Sequence, residues 1–271
     1  MRIPAFLLTA SLGLVLVPLR AQAQATWSGT ATLASSYVWR GVTSTNRPVI
    51  QPEVGLDVPF RGTTLSFGAW ASVEPARYDG PSDISAVYGL LPGPAFTQYS
   101  AWAHVAAELP GVSLSGGAET FLYPSVADLA ALYNTVELTV SASLALPLAP
   151  TFTAWYDVGA VRGAYFETSV WFEQQVRNQP ISLSVTGGFN AGQGPDRNEA
   201  HQAYFARKGL THIELSASTD YEMGTLTLSP AAHVIHGIDP YARITAPDRQ
   251  RSTKLWIGTA VSWRSRAEAS P

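Results

Sequence analysis

The chain has 271 residues, no cysteine and only 14% charged residues, well under the ~25% of soluble domains. Seventeen basic residues face 20 acidic ones, a formal net charge of −3, which excludes the basic footprint of a nucleic-acid partner. Without cysteine no disulfide can form, so ladder hydrogen bonds and packing must carry the fold even in an oxidising compartment.

Residues 1–23 read as a secretory signal peptide. Arg2 supplies the positive region, Ala5 to Val17 the apolar core, and Ala21-Gln22-Ala23 or Ala23-Gln24-Ala25 the small-residue cleavage site, so cleavage falls after Ala23 or Ala25. That core is shorter than the ~20 apolar residues of a spanning helix, and no other run approaches that length. Cleavage after Ala23 removes Arg2 and Arg20 and leaves 248 residues with a net charge of −5, enough for one large β domain.

The next stretch sets the pattern. Trp27, Gly29, Ala31, Leu33, Ser35, Tyr37 and Trp39 share one parity and carry no charge; Ser28, Thr30, Thr32, Ser36 and Arg40 share the other. Alternate side chains of a strand face opposite ways, so one face is apolar and one wet. Twelve steps from Trp27 to Trp39 make ~40 Å of strand at ~3.3 Å per residue. Tilted by ~40°, that rises ~30 Å, close to the apolar band of an outer-membrane barrel with its two aromatic girdles. Trp27, Tyr37 and Trp39, with Trp263 near the other end of the chain, are the expected membrane girdle.

The same alternation predicts strands over 49–60, 64–74, 98–109, 112–123, 134–146, 151–158, 164–173, 181–190, 210–221, 225–236 and 252–263. Pro52 cannot donate to a ladder, so a bulge or local irregularity is expected there. With Trp27–Trp39 the count is twelve, and short turns alternate with longer polar connections. The expected fold is all-β: a transmembrane, antiparallel, up-and-down β-barrel of about 12 strands over residues 24–263, followed by a short tail, 264–271.

Periodicity alone also fits a soluble β-sandwich; the charges separate the two. Eleven acids fall in the predicted strands: Glu53, Asp57, Glu74, Glu108, Glu119, Glu137, Asp157, Glu167, Glu173, Glu214 and Asp220. All lie on the polar parity, as do the two strand bases, Arg40 and Lys254. A charge on a lipid face would cost ~2–4 kcal/mol at the bilayer midplane.

Ser36-Tyr37-Val38-Trp39-Arg40-Gly41 resembles the S-x-Y-V-[FW]-R-G signature of the TorF-type porins of Gram-negative bacteria. Gly55-Leu56-Asp57, Trp70-Ala71-Ser72, Leu122-Tyr123-Pro124 and Asn134-Thr135-Val136-Glu137 follow in the order of that family's further elements. The resemblance spans the mature chain, is densest before position 140, and implies a porin-type outer-membrane barrel with no assigned substrate. The chain departs at its end: Trp263 stands where an outer-membrane barrel often ends on an aromatic residue read by the barrel assembly machinery, but eight residues follow.

The lumen acids against two bases predict a passive channel for small cationic or neutral solutes, not an enzyme. Glu119, Glu137, Asp157 and Glu214 sit nearest mid-strand and are the expected selectivity groups. Arg40 is expected to brace the first–last strand seam or to pair with Glu53 or Glu74. Trp70, Trp102, Trp155, Trp171 and Trp256 fall on the inward parity. They either fill and narrow the barrel or, with the acids, hold organic cations by cation–π contact. The five histidines offer no metal-ligand spacing and no cofactor motif is present. His236, on the lipid-facing parity near the outer rim beside Thr253, is the one candidate base for a lipid hydrolase, an alternative reading alongside a plugged structural or adhesive barrel. Nine basic residues in the outer connections could meet lipopolysaccharide phosphates.

Overall fold

The computed structural model describes residues 25–75, 95–123, 134–177, 179–194, 204–246 and 249–265. The expected signal peptide and all of the C-terminal tail after Ser265 lie outside them. Twelve strands form the wall: β1 Thr26–Ala34, β2 Val49–Phe60, β3 Thr63–Glu74, β4 Ala95–Leu109, β5 Val112–Leu122, β6 Thr135–Leu144, β7 Thr151–Asp157, β8 Gly163–Val176, β9 Gln179–Asn190, β10 Gly209–Ser218, β11 Leu226–Gly237 and β12 Thr253–Arg264. Every pairing is antiparallel between chain neighbours, and β12 pairs with β1 from Ser28↔Arg264 to Ala34↔Gly258, which closes the sheet into an up-and-down barrel.

Closure leaves the ring no free edge, so apart from Pro52 and the end of β8 the strands are paired on both sides, the condition for a β-structure in lipid. The outward parity is apolar and bare. Val140 is 65% exposed and Leu255 72%, values a soluble core would not tolerate over a whole belt. Trp27 and Trp263 stand exposed at the end where the connections are short. Phe96, stacked on Tyr99 at 5.1 Å, and Tyr156 stand exposed at the other. The short turns use left-handed backbone where a two-residue loop demands it: Arg61 and Gly62 between β2 and β3 have φ 49° and 82°.

Pro52 makes no bulge, but the expected local irregularity is there: the β2–β3 ladder skips Gln51 and Pro52. The β2–β3 register is unchanged from Ile50↔Val73 to Glu53↔Trp70, and Pro52 faces outward opposite Ala31 of β1. Its missing N–H costs one ladder bond, not a register shift. The larger departure is in the first strand, which leaves the wall at Ala34 instead of running to Trp39. Ser35 and Ser36 bend the chain, and Tyr37–Trp39 pairs with Val42–Thr45 as a separate two-stranded hairpin. Arg40 and Gly41, φ 48° and 79°, form its two-residue turn. Positive φ at both central positions is the type I′ geometry that matches strand twist.

Two inward glycines let large rings lie flat on the wall. A Cβ on Gly68 of β3 would stand 2.2 Å from Trp102 Cζ2 and 2.7 Å from the Val54 carbonyl. One on Gly117 of β5 would stand 2.0 Å from His104 Cδ2 and 2.1 Å from the Ala103 carbonyl. Gly68→Ala and Gly117→Ala should each destabilise the barrel by about 1–3 kcal/mol through overpacking. The measurement is the midpoint of the heat-modifiable gel shift; unchanged midpoints would mean that the rings can move aside.

Candidate functional site

The hairpin crosses the lumen. Its tip residue Arg40 reaches β6, five strands round the ring, and meets Glu137 with both amino groups: Nη1 to Oε1 at 2.9 Å and Nη2 to Oε2 at 2.5 Å. The Glu137 side chain is fully buried and that of Arg40 nearly so. The guanidinium carbon sits 4.1 Å from the Trp39 ring centroid, 4.6 Å from Trp155 and 4.7 Å from Tyr165. A delocalised cation between aromatic faces and a bidentate carboxylate is the setting in which burying a charge is least costly.

Further contacts hold the hairpin from other sides. Lys254 Nζ of β12 donates to the Gly41 carbonyl at 2.6 Å and to Thr43 Oγ1 at 2.7 Å. The Gly41 position is so close to His212 of β10 that a Cβ there would meet the ring at 2.6 Å. Tyr37 packs on Trp70 at 5.6 Å and donates its hydroxyl to Gln98 Oε1 at 3.2 Å. Trp39 meets Tyr204 edge-on at 5.1 Å and Phe121 at 6.3 Å. Tyr37 and Trp39 are therefore lumen residues, not the membrane girdle: the bend at Ser35-Ser36 turns them inward. Burial pushes the phenols of Tyr37, in the hairpin, and Tyr204, in the connection after β9, well above their ordinary value.

The connection after β9 reinforces this layer. Gln193, fully buried, donates Nε2 to Glu137 Oε1 at 3.0 Å and accepts from Arg40 Nη1 at 3.3 Å. Asn190 Oδ1 receives the Gly192 and Gln193 N–H groups. Phe205 stacks on Tyr165 at 5.2 Å and 7°. Buried Asp239, in the connection after β11, accepts N–H bonds from Ala206, Arg207 and Tyr241. Charged and polar groups here are satisfied by partners, as burial requires.

Beneath the hairpin lies a cavity of about 600 Å³. Tyr37, Val38, Trp39 and Arg40 roof it; Glu53 of β2, Trp70 of β3, Gln98, Trp102 and His104 of β4, Glu119 and Phe121 of β5, Trp155 of β7 and Glu167 of β8 wall it. The register explains the layout. Glu53 pairs directly with Trp70, and Trp102 with Glu119, which in turn pairs with Glu137, and Glu137 with Asp157. Two acids thus each sit beside an indole, and three acids, Glu119, Glu137 and Asp157, follow one another across β5, β6 and β7.

The expected pore-lining residues divide into three groups. Glu53, Glu119 and Glu167 line the cavity and, among the described residues, make no ion pair; Tyr165 donates its hydroxyl to Glu167 at 2.8 Å. Glu74, Glu137, Asp157, Arg40 and Lys254 are buried at the long-connection end. Asp157 caps its own connection, accepting from Gly159, Val161 and Arg162 N–H and from Thr135 Oγ1. Asp57, Glu108 and Asp220 lie at the short-turn end and accept from Ser66, Ser113 and Ser229. Asp220 is past the end of β10, exposed, and so outside the spanning wall. Arg264 reaches Asp57 at 3.2 Å. Glu214 is taken by His233 at 2.6 Å, whose ring stacks on Trp256 at 3.6 Å.

Arg40 neither braces the seam nor pairs with Glu53 or Glu74; Lys254 makes the contact near the seam, and Arg40 spans the tube. Trp171, inward by parity, does not line the lumen. Pairing of β8 with β7 ends at Ser169↔Thr151, and Trp171 lies beyond it, 47% exposed. Glu173 shares that exposed overhang. Tyr165, Gln193, Phe205 and Tyr204 were not singled out in the sequence, since three of them sit in a polar connection with no periodicity. On the outer face His236 Nδ1 stands 3.1 Å from Thr253 Oγ1. Its cross-strand neighbour on β10 is Ile213, so no carboxylate or amide orients the ring from that side.

The fold is that of the outer-membrane β-barrels. An outer-membrane channel from Pseudomonas putida F1 matches with TM-score 0.50 and 10% identity, over 89% of this chain and 96% of that one. The KdgM porin matches at 0.45 and 6% identity over 88% and 98%. The outer-membrane phospholipase A of Escherichia coli matches at 0.45 and 13% over 88% and 92%. No family model and no curated protein matches the sequence.

Proposed function

We propose that this chain is a porin of the Gram-negative outer membrane, of the TorF type, passing small cationic or neutral solutes by passive diffusion. In this reading the long connections face outward and meet lipopolysaccharide, and the barrel assembly machinery inserts the chain. The observation that carries it is the lumen itself. The wall is closed, and the obstruction described is a hairpin folded in from one connection and held by side chains, backed by Gln193, Tyr204 and Phe205 of the connection after β9. The cavity below it presents unpaired carboxylates and tryptophan faces. A barrel built merely as a scaffold gains nothing from an internal void lined by charge.

Two measurements test this. Heat-modifiable migration with a β-rich circular dichroism spectrum in detergent is expected, and a chain that stays monomeric and soluble without detergent would refute the membrane reading. In planar bilayers, small discrete conductance steps are expected; a folded barrel that shows none, even with the hairpin tether cut, would be a structural barrel.

The His236–Thr253 contact is the observation on the side of a hydrolase. If it worked as a base–nucleophile pair, solubilised lipid would release fatty acid and His236→Ala would abolish that release. The missing orienting group argues for a polar pair at the membrane interface instead.

A further inference from the structure

We propose that the cavity beneath the hairpin binds one small organic cation of the alkylammonium class, an inference that rests on the channel reading and names its solute class. Charge is the first argument. Glu53, Glu119 and Glu167 face the cavity, and the one guanidinium at its roof, Arg40, is already matched by Glu137 in a bidentate pair. Among the described residues the cavity is therefore short of positive charge. A small hydrated ion would satisfy that deficit without needing aromatic walls.

The walls supply the second argument. Register sets Trp70 directly beside Glu53 and Trp102 directly beside Glu119. Gly68 gives up its side chain so that Trp102 can lie flat against the wall, and Trp102 stacks on His104 at 5.3 Å. Glu53 and Glu119 thus each have an indole next to them. The ring quadrupole attracts a cation with an apolar surface, and the carboxylate supplies the counter-charge.

The third argument is that the protein already holds a cation this way. Arg40 sits against Trp39, Trp155 and Tyr165 with Glu137 as its counter-ion. The same chemistry is repeated in the cavity below, with the cation left to come from solution. A volume of about 600 Å³ accommodates a quaternary ammonium group with a short substituent, and excludes polymers and folded peptides.

The test uses the full chain in detergent, titrated with tetramethylammonium chloride by calorimetry against sodium chloride at matched ionic strength. Saturable millimolar binding specific to tetramethylammonium is expected. Trp70→Leu/Trp102→Leu should weaken it about tenfold, the worth of one to two cation–π contacts. Glu53→Gln/Glu119→Gln should weaken it at least as much. If the tryptophan variant loses heat-modifiable folding, the isosteric glutamine pair decides alone. Heats no larger than those of sodium chloride, or glutamine variants that bind like the wild type, would overturn the site. The channel reading fails separately: binding without conductance would refute the pore and keep the site, and conductance without binding would do the reverse.

Discussion

Arg40→Ala is expected to raise single-channel conductance severalfold while the barrel stays folded. The guanidinium is the hairpin's anchor on the far wall, bound to Glu137 and Gln193 and flanked by three rings. Removing one partner of a buried pair costs about 3–5 kcal/mol, because the other charge is left uncompensated. That is a factor of roughly 10²–10⁴ in the balance between seated and displaced hairpin. The wall does not depend on Arg40, since all twelve ladders close without it. So the loss falls on the hairpin and should be read as conductance and current noise, not as a lost gel shift. Glu137→Gln should act in the same direction. Folded variants with wild-type conductance would mean that ions do not pass the hairpin.

Changing Glu53, Glu119 and Glu167 together to glutamine is expected to abolish cation preference. These three stand on the cavity with no ion pair among the described residues, in a narrow, low-dielectric tube that focuses their field. Position near mid-strand singles out Glu119, Glu137, Asp157 and Glu214. Of those only Glu119 keeps its charge available, because Arg40, the Asp157 connection and His233 engage the others. Amides at Asp157 and Glu214 should therefore move the reversal potential much less than amides at the cavity three. A KCl gradient across a planar bilayer measures this, most clearly at low salt, where the screening length exceeds its ~10 Å at 0.1 M. An anion-selective wild type, or a triple variant with an unchanged reversal potential, would sink the assignment.

The wall was legible in the sequence because lipid on one side and water on the other impose a strict period of two. Leu138, Val140 and Ala142 could only face out, so Glu137 could only face in. Boundaries shifted by a few residues, as for β8, which runs on to Val176 past its neighbour and carries Trp171 out of the tube. The hairpin was not legible, because Tyr37 to Trp39 keeps the parity of β1 after leaving the wall. An arginine is also an unusual first residue for a type I′ turn, which favours Asn, Asp or Gly. The interior partners of Arg40 come from β6, β7, β8 and the connection after β9. No local pattern announces such long-range convergence; only closure of the tube creates it.

The grip of Lys254 on the hairpin has a consequence for how the molecule is made. The lysine belongs to the last strand and the hairpin follows directly on the first, and these two strands zip together only when the chain is complete. A sheet whose last strand has not met its first therefore lacks this clamp, whatever the state of the far-wall socket. Only the sealed cylinder holds the hairpin from both sides. Losing Lys254 should leave a barrel that closes normally but ships its stopper loose, a defect visible as leak and invisible to any assay of assembly.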